Sequence, residues 1–473
     1  MKAYIFFISF AILSITRTAL ANAVSTIVLN SQSVLEIYKK QSLKPKELEN
    51  TLNSSQLIFE TLDLKYKVIT SLDVSRTTDH TDSTSTGLQQ NNDTNKYSWL
   101  TTKRYLSGTT LGLELTHLDN ALGTMSSTTG RNDTNQNFFT VSLDQPIYPN
   151  FLGSQEQSTY ASAAQDYELK KIQTDFDQLT TQKDLLKLFW KTKALAQSVE
   201  ENTKLITEYD RLAKKVQQKQ SNQFASAGEL EQALSEYETR KQSLKADQSS
   251  LSQALLDLKT SLNLPSDTEI KFDIKIPDFL APKFKTTTTT ELKKYKYQQL
   301  KQQSVENLST AVTNSNLPQF SVYGKYTQSG FDPANSTALD EAKDSNYQKY
   351  VIGVKMDYTF DNEKSKLDEK IKKLNLDIEQ SKTNRAPQDL MAQIELAQKD
   401  LSASFENITS NKKILEYRKK AVIDISKNYF QGRTDISFLI DAYNKKNLAE
   451  INLISSYGDF ETKKIDYEIL TLQ

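Results

Sequence analysis

Residues 351–362, VIGVKMDYTFDN, alternate without interruption. Ile352, Val354, Met356, Tyr358 and Phe360 share one parity, and Gly353, Lys355, Asp357 and Thr359 share the other. A period of two predicts a β-strand with one apolar and one polar face. The residues that follow, EKSKLDEKIKKLNLDIEQSK, change at once to a charged helical pattern. A helix this polar is a poor cover for a sheet, so the apolar face needs another partner. The same alternation recurs in KVITSLDVS (Val68, Thr70, Leu72, Val74), in TTLGLELTHL (Leu111, Leu113, Leu115) and in FFTVSLDQPIYPN (Phe139, Val141, Leu143). A vaguer segment, YSWLTTKRYL, precedes a short SGT turn and adds a possible further strand.

The beginning of the chain says where such strands would go. MKAYIFFISFAILSITRTALANA places Lys2 before an apolar run, Ala3 to Ile15, and then the small residues Ala21 and Ala23. This is the layout of a signal peptide over residues 1–23, with cleavage expected before Val24. Later in the chain no run of about 18 apolar residues occurs, so any membrane span has to be built from strands. No cysteine is present, which excludes disulfides, thiolate metal sites and a lipidated N-terminal cysteine. The 59 basic and 59 acidic residues cancel, so no net charge draws the chain to nucleic acid.

Between the strands the helical period dominates. A stretch over 24–64 reads as two helices broken around Pro45, followed by strands within 65–150. In 151–264, Leu169, Ile172, Phe176, Leu179, Leu186 and Trp190 recur near every 3.5 residues, with Lys183 interrupting the seam. That helix is expected from about 155 to 221, roughly 100 Å long. A second, Glu229 to Leu262, would complete an antiparallel hairpin. Residues 265–290, with Pro265, Pro277 and Pro282, read as an extended linker. Then the order repeats: a helix in 291–317, a strand pair in 318–361 around FSVYGKYTQ, and a helical hairpin in 362–473. Pro387 is expected to kink or restart its first helix, and QGRTD to end it. The fold class is mixed α and β, with two structural repeats.

Strands of about ten residues, apolar on one side and polar on the other, match an outer-membrane barrel. One chain offers four to six, fewer than a barrel with a lumen needs, and an open edge is untenable in lipid. Several chains must share the barrel. In its duplicated layout, its junctions VSLDQPIYPN and VKMDYTFDN, and its last hairpin NYFQGRTDISFLIDAYNKKNLAE, the chain resembles the outer membrane efflux protein (TolC-type) family over nearly its whole mature length. The resemblance implies a homotrimer, a barrel continued by a periplasmic helical tunnel, and partnership with a periplasmic adaptor (membrane fusion) protein and an inner-membrane transporter. It also implies that Gly432 is a tip glycine and Asp441 an aperture aspartate. Phe438 stands where the family can carry a second aspartate, and Asp435 lies one turn further back. Gln223 takes the tip-glycine place in the first hairpin, with Gly228 nearby.

The expected sites follow. Asp441, Phe438 and Asp435 would line the periplasmic aperture, against plain solvated positions on a helix. Gln223, Phe224, Gly228, Gly432, Arg433 and Thr434 would meet the adaptor, against exposed turn residues. Phe139, Val141, Leu143, Ile352, Val354, Met356 and Tyr358 would face lipid, against a small soluble sheet. The family's first repeat gives two strands; here four are favoured, making six per chain. No catalytic site, metal site or cofactor is expected. His80 and His117 lack partner patterns, and Asn92–Asn95 and Asn132–Asn135 suit Asx turns. The rival reading is an exported coiled-coil surface or scaffold protein, such as an adhesin, with a small β region.

Overall fold

The computed structural model describes residues 26–79, 92–122, 133–221, 228–273, 279–284, 288–315, 317–344, 347–360 and 363–473. The signal segment, His80, Asn132, Gln223 and Phe224 lie outside the described residues. In chain order the elements are β1 (Thr26–Leu29), α1 (Ser31–Gln41), α2 (Leu43–Leu64), β2 (Val68–Asp79), β3 (Asn92–Arg104), β4 (Thr110–Leu122) and β5 (Asp133–Tyr148). There follow α3 (Ser154–Ser221), α4 (Glu229–Leu262), β6 (Glu269–Phe272) and α5 (Lys293–Ser315). The chain ends with β7 (Gln319–Asp332), α6 (Asn335–Glu341), β8 (Gln348–Asp357), α7 (Glu363–Phe430) and α8 (Ile436–Thr471). They fall into two compact units, to both of which the 68-residue helices α3 and α7 contribute.

The first unit (Glu47–Leu179, Phe284–Gln398 and Tyr467–Gln473) holds a six-stranded sheet, antiparallel throughout, in the order β2-β3-β4-β5-β7-β8. The segment YSWLTTKRYL is thus part of a full strand, β3, and the turn that joins it to β4 is tight. Tyr105 N–H donates to Thr109 O at 2.9 Å, and Gly108 sits at φ +80°. This hairpin is tied to the start of α3. Arg104 pairs with Glu156, whose other oxygen accepts from Asn150 Nδ2 at 2.5 Å. Gly153, at φ +77°, lies where any Cβ would collide with the Leu106 carbonyl, so the close approach requires glycine. Pro146 is accommodated at an irregularity in the β5–β7 register, where its missing N–H is tolerated.

Several expectations need correction. The break between α1 and α2 is at Ser42, and Pro45 stands in the first turn of α2, where an absent N–H costs little. Pro387 neither ends nor restarts α7, which runs on through it. β8 starts at Gln348 and stops at Asp357, so Tyr358 and Phe360 follow the strand; their rings meet edge to face, with centroids 4.9 Å apart. The connection between β7 and β8 contains α6.

The second unit (described residues of Met1–Lys46, with Thr180–Lys283 and Lys399–Asp466) is helical apart from β1 and β6. These two short strands pair in parallel, Thr26 opposite Glu269 and Leu29 opposite Phe272. Part of the expected linker is therefore a strand, and β1 precedes the N-terminal helices. α1 begins with a capping box: Asn30 Oδ1 accepts from Ser33 N–H, and Ser33 Oγ accepts from Asn30 N–H, both at 2.8 Å. The later part of the apolar stripe of α3, Leu186 and Trp190, is buried here with Leu185 and Phe189. Trp190 stacks on Tyr457 at 5.8 Å and donates to Glu461 Oε2 at 2.7 Å. Lys183, the polar interruption in that stripe, bonds Asp466 at 2.8 Å.

A buried ionic cluster crosses the helices nearby. Lys446 Nζ lies 2.6 Å from Glu201 and 3.2 Å from Glu450; Lys204 is 2.8 Å from Glu201, and Lys419 is 3.5 Å from Glu450. Burial pushes the Glu201 carboxyl up, but hydrogen bonds from Lys204 and Lys446 outweigh it and hold it down to about 2. Burial and the neighbouring Glu201 push Glu450 up. A carboxyl with a depressed value stabilises the fold above its unfolded value, 4.5, and that contribution is lost as pH falls towards 2. Lys446→Met leaves two buried carboxylates without their shared cation. With Lys204 and Lys419 still paired to them, it should lower stability at neutral pH by about 1–3 kcal/mol, and the deficit should shrink as pH falls and the carboxyls take up protons. Denaturant unfolding of both chains followed across pH checks this; an equal deficit at all pH values would count against the cluster.

Candidate functional site

The register assembles one continuous face from the alternating residues. Val68, Lys103, Leu111, Leu143, Gly324 and Ile352 form one row across the six strands. Thr70, Thr101, Leu113, Val141, Tyr326 and Tyr350 form the next, and Leu72, Trp99, Leu115, Phe139 and Gln328 the one beyond. Val354 and Met356 continue the same face opposite Val322 and Phe320. In the single chain this face is open: Ile352 is 84% exposed, Leu72 75% and Val354 68%, while Phe139 is half-buried. An apolar surface of this extent marks an interaction with something apolar. Of the residues expected there, only Tyr358 falls outside the strands.

Sequence reasoning missed the aromatic residues of this face. Tyr97 and Trp99 of β3 stand beside His117 and Leu115 of β4, and the rings of Tyr326 and Tyr350 lie 5.0 Å apart. Their signal was the alternation of Tyr97 and Trp99 with Ser98 and Leu100. The opposite face is polar. There Glu114, Thr116, Thr140, Lys325, Thr327 and Lys349, together with Phe138 and Val351, line a hollow of about 330 Å³.

The second set of expected residues lies in the helical unit. Gly432 closes α7 in a left-handed conformation, φ +71°, with its N–H donating to Tyr429 O at 3.0 Å and Arg433 N–H to Asn428 O at 2.9 Å. This is a Schellman ending, which glycine adopts without strain. Gly432, Arg433 and the left-handed Gly228, which opens α4, are exposed, whereas Thr434 is half-buried. Asp435 is spent locally. Its Oδ1 accepts from Ser437 N–H at 2.8 Å, and the Ser437 hydroxyl and then that N–H hold its carboxyl below the usual range, as suits a residue capping α8.

Asp441 is exposed and pairs with Lys445 one turn on, at 2.7 Å. It borders a groove of about 600 Å³ between α4 and α8 that also has Glu231 and Glu236 on its walls. Phe438, one turn earlier, is likewise exposed. Beneath them Tyr209, Leu212, Val216, Ala233, Tyr429, Ile436 and Leu439 form a packed core joining α3, α4, α7 and α8. The Tyr209 hydroxyl donates to Asn444 Oδ1 at 2.9 Å, and Lys215 and Lys219 sit 3.9 and 4.2 Å above the rings of Phe430 and Tyr429. Burial, reinforced by Glu236 against Tyr209 and by Glu229 against Tyr429, pushes both tyrosine hydroxyls up, so they stay neutral donors.

Among the described residues no group of three His, Asp or Glu side chains could hold a metal ion, and no helix is long and apolar enough to cross a membrane.

No family model matches the sequence, and no curated protein sequence does. The fold, however, matches solved structures. The CmeC outer membrane channel of Campylobacter jejuni aligns with TM-score 0.66 and 11% identity, over 93% of this chain and 85% of that one. The outer membrane protein VceC of Vibrio cholerae aligns with TM-score 0.65 and 10% identity, over 93% and 95%. The MtrE outer membrane channel of Neisseria gonorrhoeae, in its open state, aligns with TM-score 0.62 and 12% identity, over 93% and 88%. Over 93% of its length the chain therefore has the fold of these solved outer-membrane channels.

Proposed function

We propose that this protein is the outer-membrane channel of a tripartite efflux or type I secretion system in a Gram-negative bacterium. The observation that carries the reading is the apolar face of the six-stranded sheet, exposed in the single chain and backed by a polar face. Lipid on one side and water on the other is the environment in which such a sheet is stable. The likeness of fold to outer membrane channels supports the same assignment.

In this reading three copies form a homotrimer. The strands span the outer membrane and the helical hairpins extend into the periplasm, where the Gly228 and Gly432 turns meet the adaptor. The inner-membrane transporter supplies the energy and the channel is a passive duct, so no catalytic residue is required. Opening shifts α7 and α8 against α3 and α4 between two packed arrangements. Fractionation and bilayer recording test the assignment: the protein should be an embedded oligomer that conducts ions in planar bilayers. Release by salt or urea, with no conductance, would replace it with the exported scaffold.

Asp441, repeated three times around a narrow passage, would concentrate negative potential and favour cations. Asp441→Asn should lower the cation preference of single channels without changing their abundance in the membrane. Unchanged selectivity would remove Asp441 from the conducting path.

A further inference from the structure

The sheet has two bare edges, and they complement each other. β2 offers twelve residues, all exposed, and β8 offers ten, nearly all exposed. Neither contains a proline, and neither is interrupted by a bulge in its pairing with β3 or β7. Such edges carry rows of unpaired N–H and C=O groups that recruit another strand. Direction also fits: six antiparallel strands leave β2 and β8 running oppositely, so β2 of one copy continues the alternation beside β8 of the next. The faces agree too, with Val68, Leu72 and Val74 on the side of Ile352, Val354 and Met356.

The number of wall strands follows from β3 and β4. A hairpin folded into the lumen would be wet on both faces. Instead Trp99, Leu111, Leu113 and Leu115 carry the exposed apolar face across from Leu72 of β2 to Val141 and Leu143 of β5, with Lys103 and Thr101 as its polar interruptions. All six strands are staves.

Building on the channel reading above, we propose that the seam between copies is β2 against β8 and that three chains close one barrel of eighteen staves. At a strand spacing of about 4.8 Å and a tilt of about 40°, eighteen staves enclose a backbone cylinder about 36 Å across, against about 24 Å for twelve. After about 10 Å for inward side chains, the bore is about 26 Å rather than about 14 Å. The outer mouth then admits a coiled polypeptide as readily as a small solute.

The absence of cysteine makes the seam testable by engineered disulfides. Ser71→Cys, on the polar face of β2, is combined in turn with Lys349→Cys, Val351→Cys and Lys355→Cys on the polar face of β8. At least one pair should link chains into covalent dimers and trimers on non-reducing gels. Ser71→Cys with Ile352→Cys or Val354→Cys, on opposite faces, should not. Electron microscopy of the unmodified oligomer should count eighteen staves. An embedded, conducting oligomer with no β2–β8 disulfide, or with any other stave count, overturns this proposal and leaves the channel reading intact. A chain that neither embeds nor conducts overturns both.

Discussion

A sheet with most of its apolar face bare is unstable in water. At roughly 25 cal/mol for each Å², removing the side chains of Leu72, Val354, Ile352 and their row neighbours from water is the largest stabilisation this half of the chain can gain. Within the unit α6 covers the Asn137–Gly330 end of the face, while Leu72, Ile352 and Val354 stay exposed. The bare edges add a second demand: each backbone group left unpaired in lipid costs several kcal/mol. Lipid against the face and a second copy against each edge satisfy both demands at once. The proposed oligomer answers both demands.

The helical unit obeys a different logic. It is held by a modest apolar core and by polar side chains that reach across helices, such as Lys446 between Glu201 and Glu450 and Tyr209 on Asn444. Contacts of this kind are directional, so helices joined by them prefer discrete arrangements to gradual sliding. Removing one partner of a buried ion pair is costly, yet exchanging partners during a concerted shift is not. The proposed channel needs that combination of stiffness and alternatives. Asp435, expected at the aperture, also caps the start of α8.

Much of this was legible in the sequence because both periods were strong. The alternation in β2, β4, β5 and β8 and the sustained helical spacing in α3, α4, α7 and α8 located those elements to within a few residues. β1 and β6 were not legible, since four-residue strands paired across most of the chain leave no periodic trace and their stability is tertiary. α6 is one short helix inside a polar connection. Pro387 does not restart the helix, because one missing N–H does not interrupt a 68-residue run. Tyr358 carries the right parity but follows the last ladder pair at Asp357. Parity alone does not say where pairing stops.

The two tryptophans give the most direct test that lipid covers the sheet. Trp99 lies on the exposed apolar face at 47% exposure, and Trp190 is buried at 3% among the helices. Fluorescence of the protein reconstituted in bilayers of brominated lipid should lose the Trp99 contribution, while aqueous iodide leaves it largely unquenched. Quenching of Trp99 by iodide and not by brominated lipid would mean that water meets this face, and the account would be wrong.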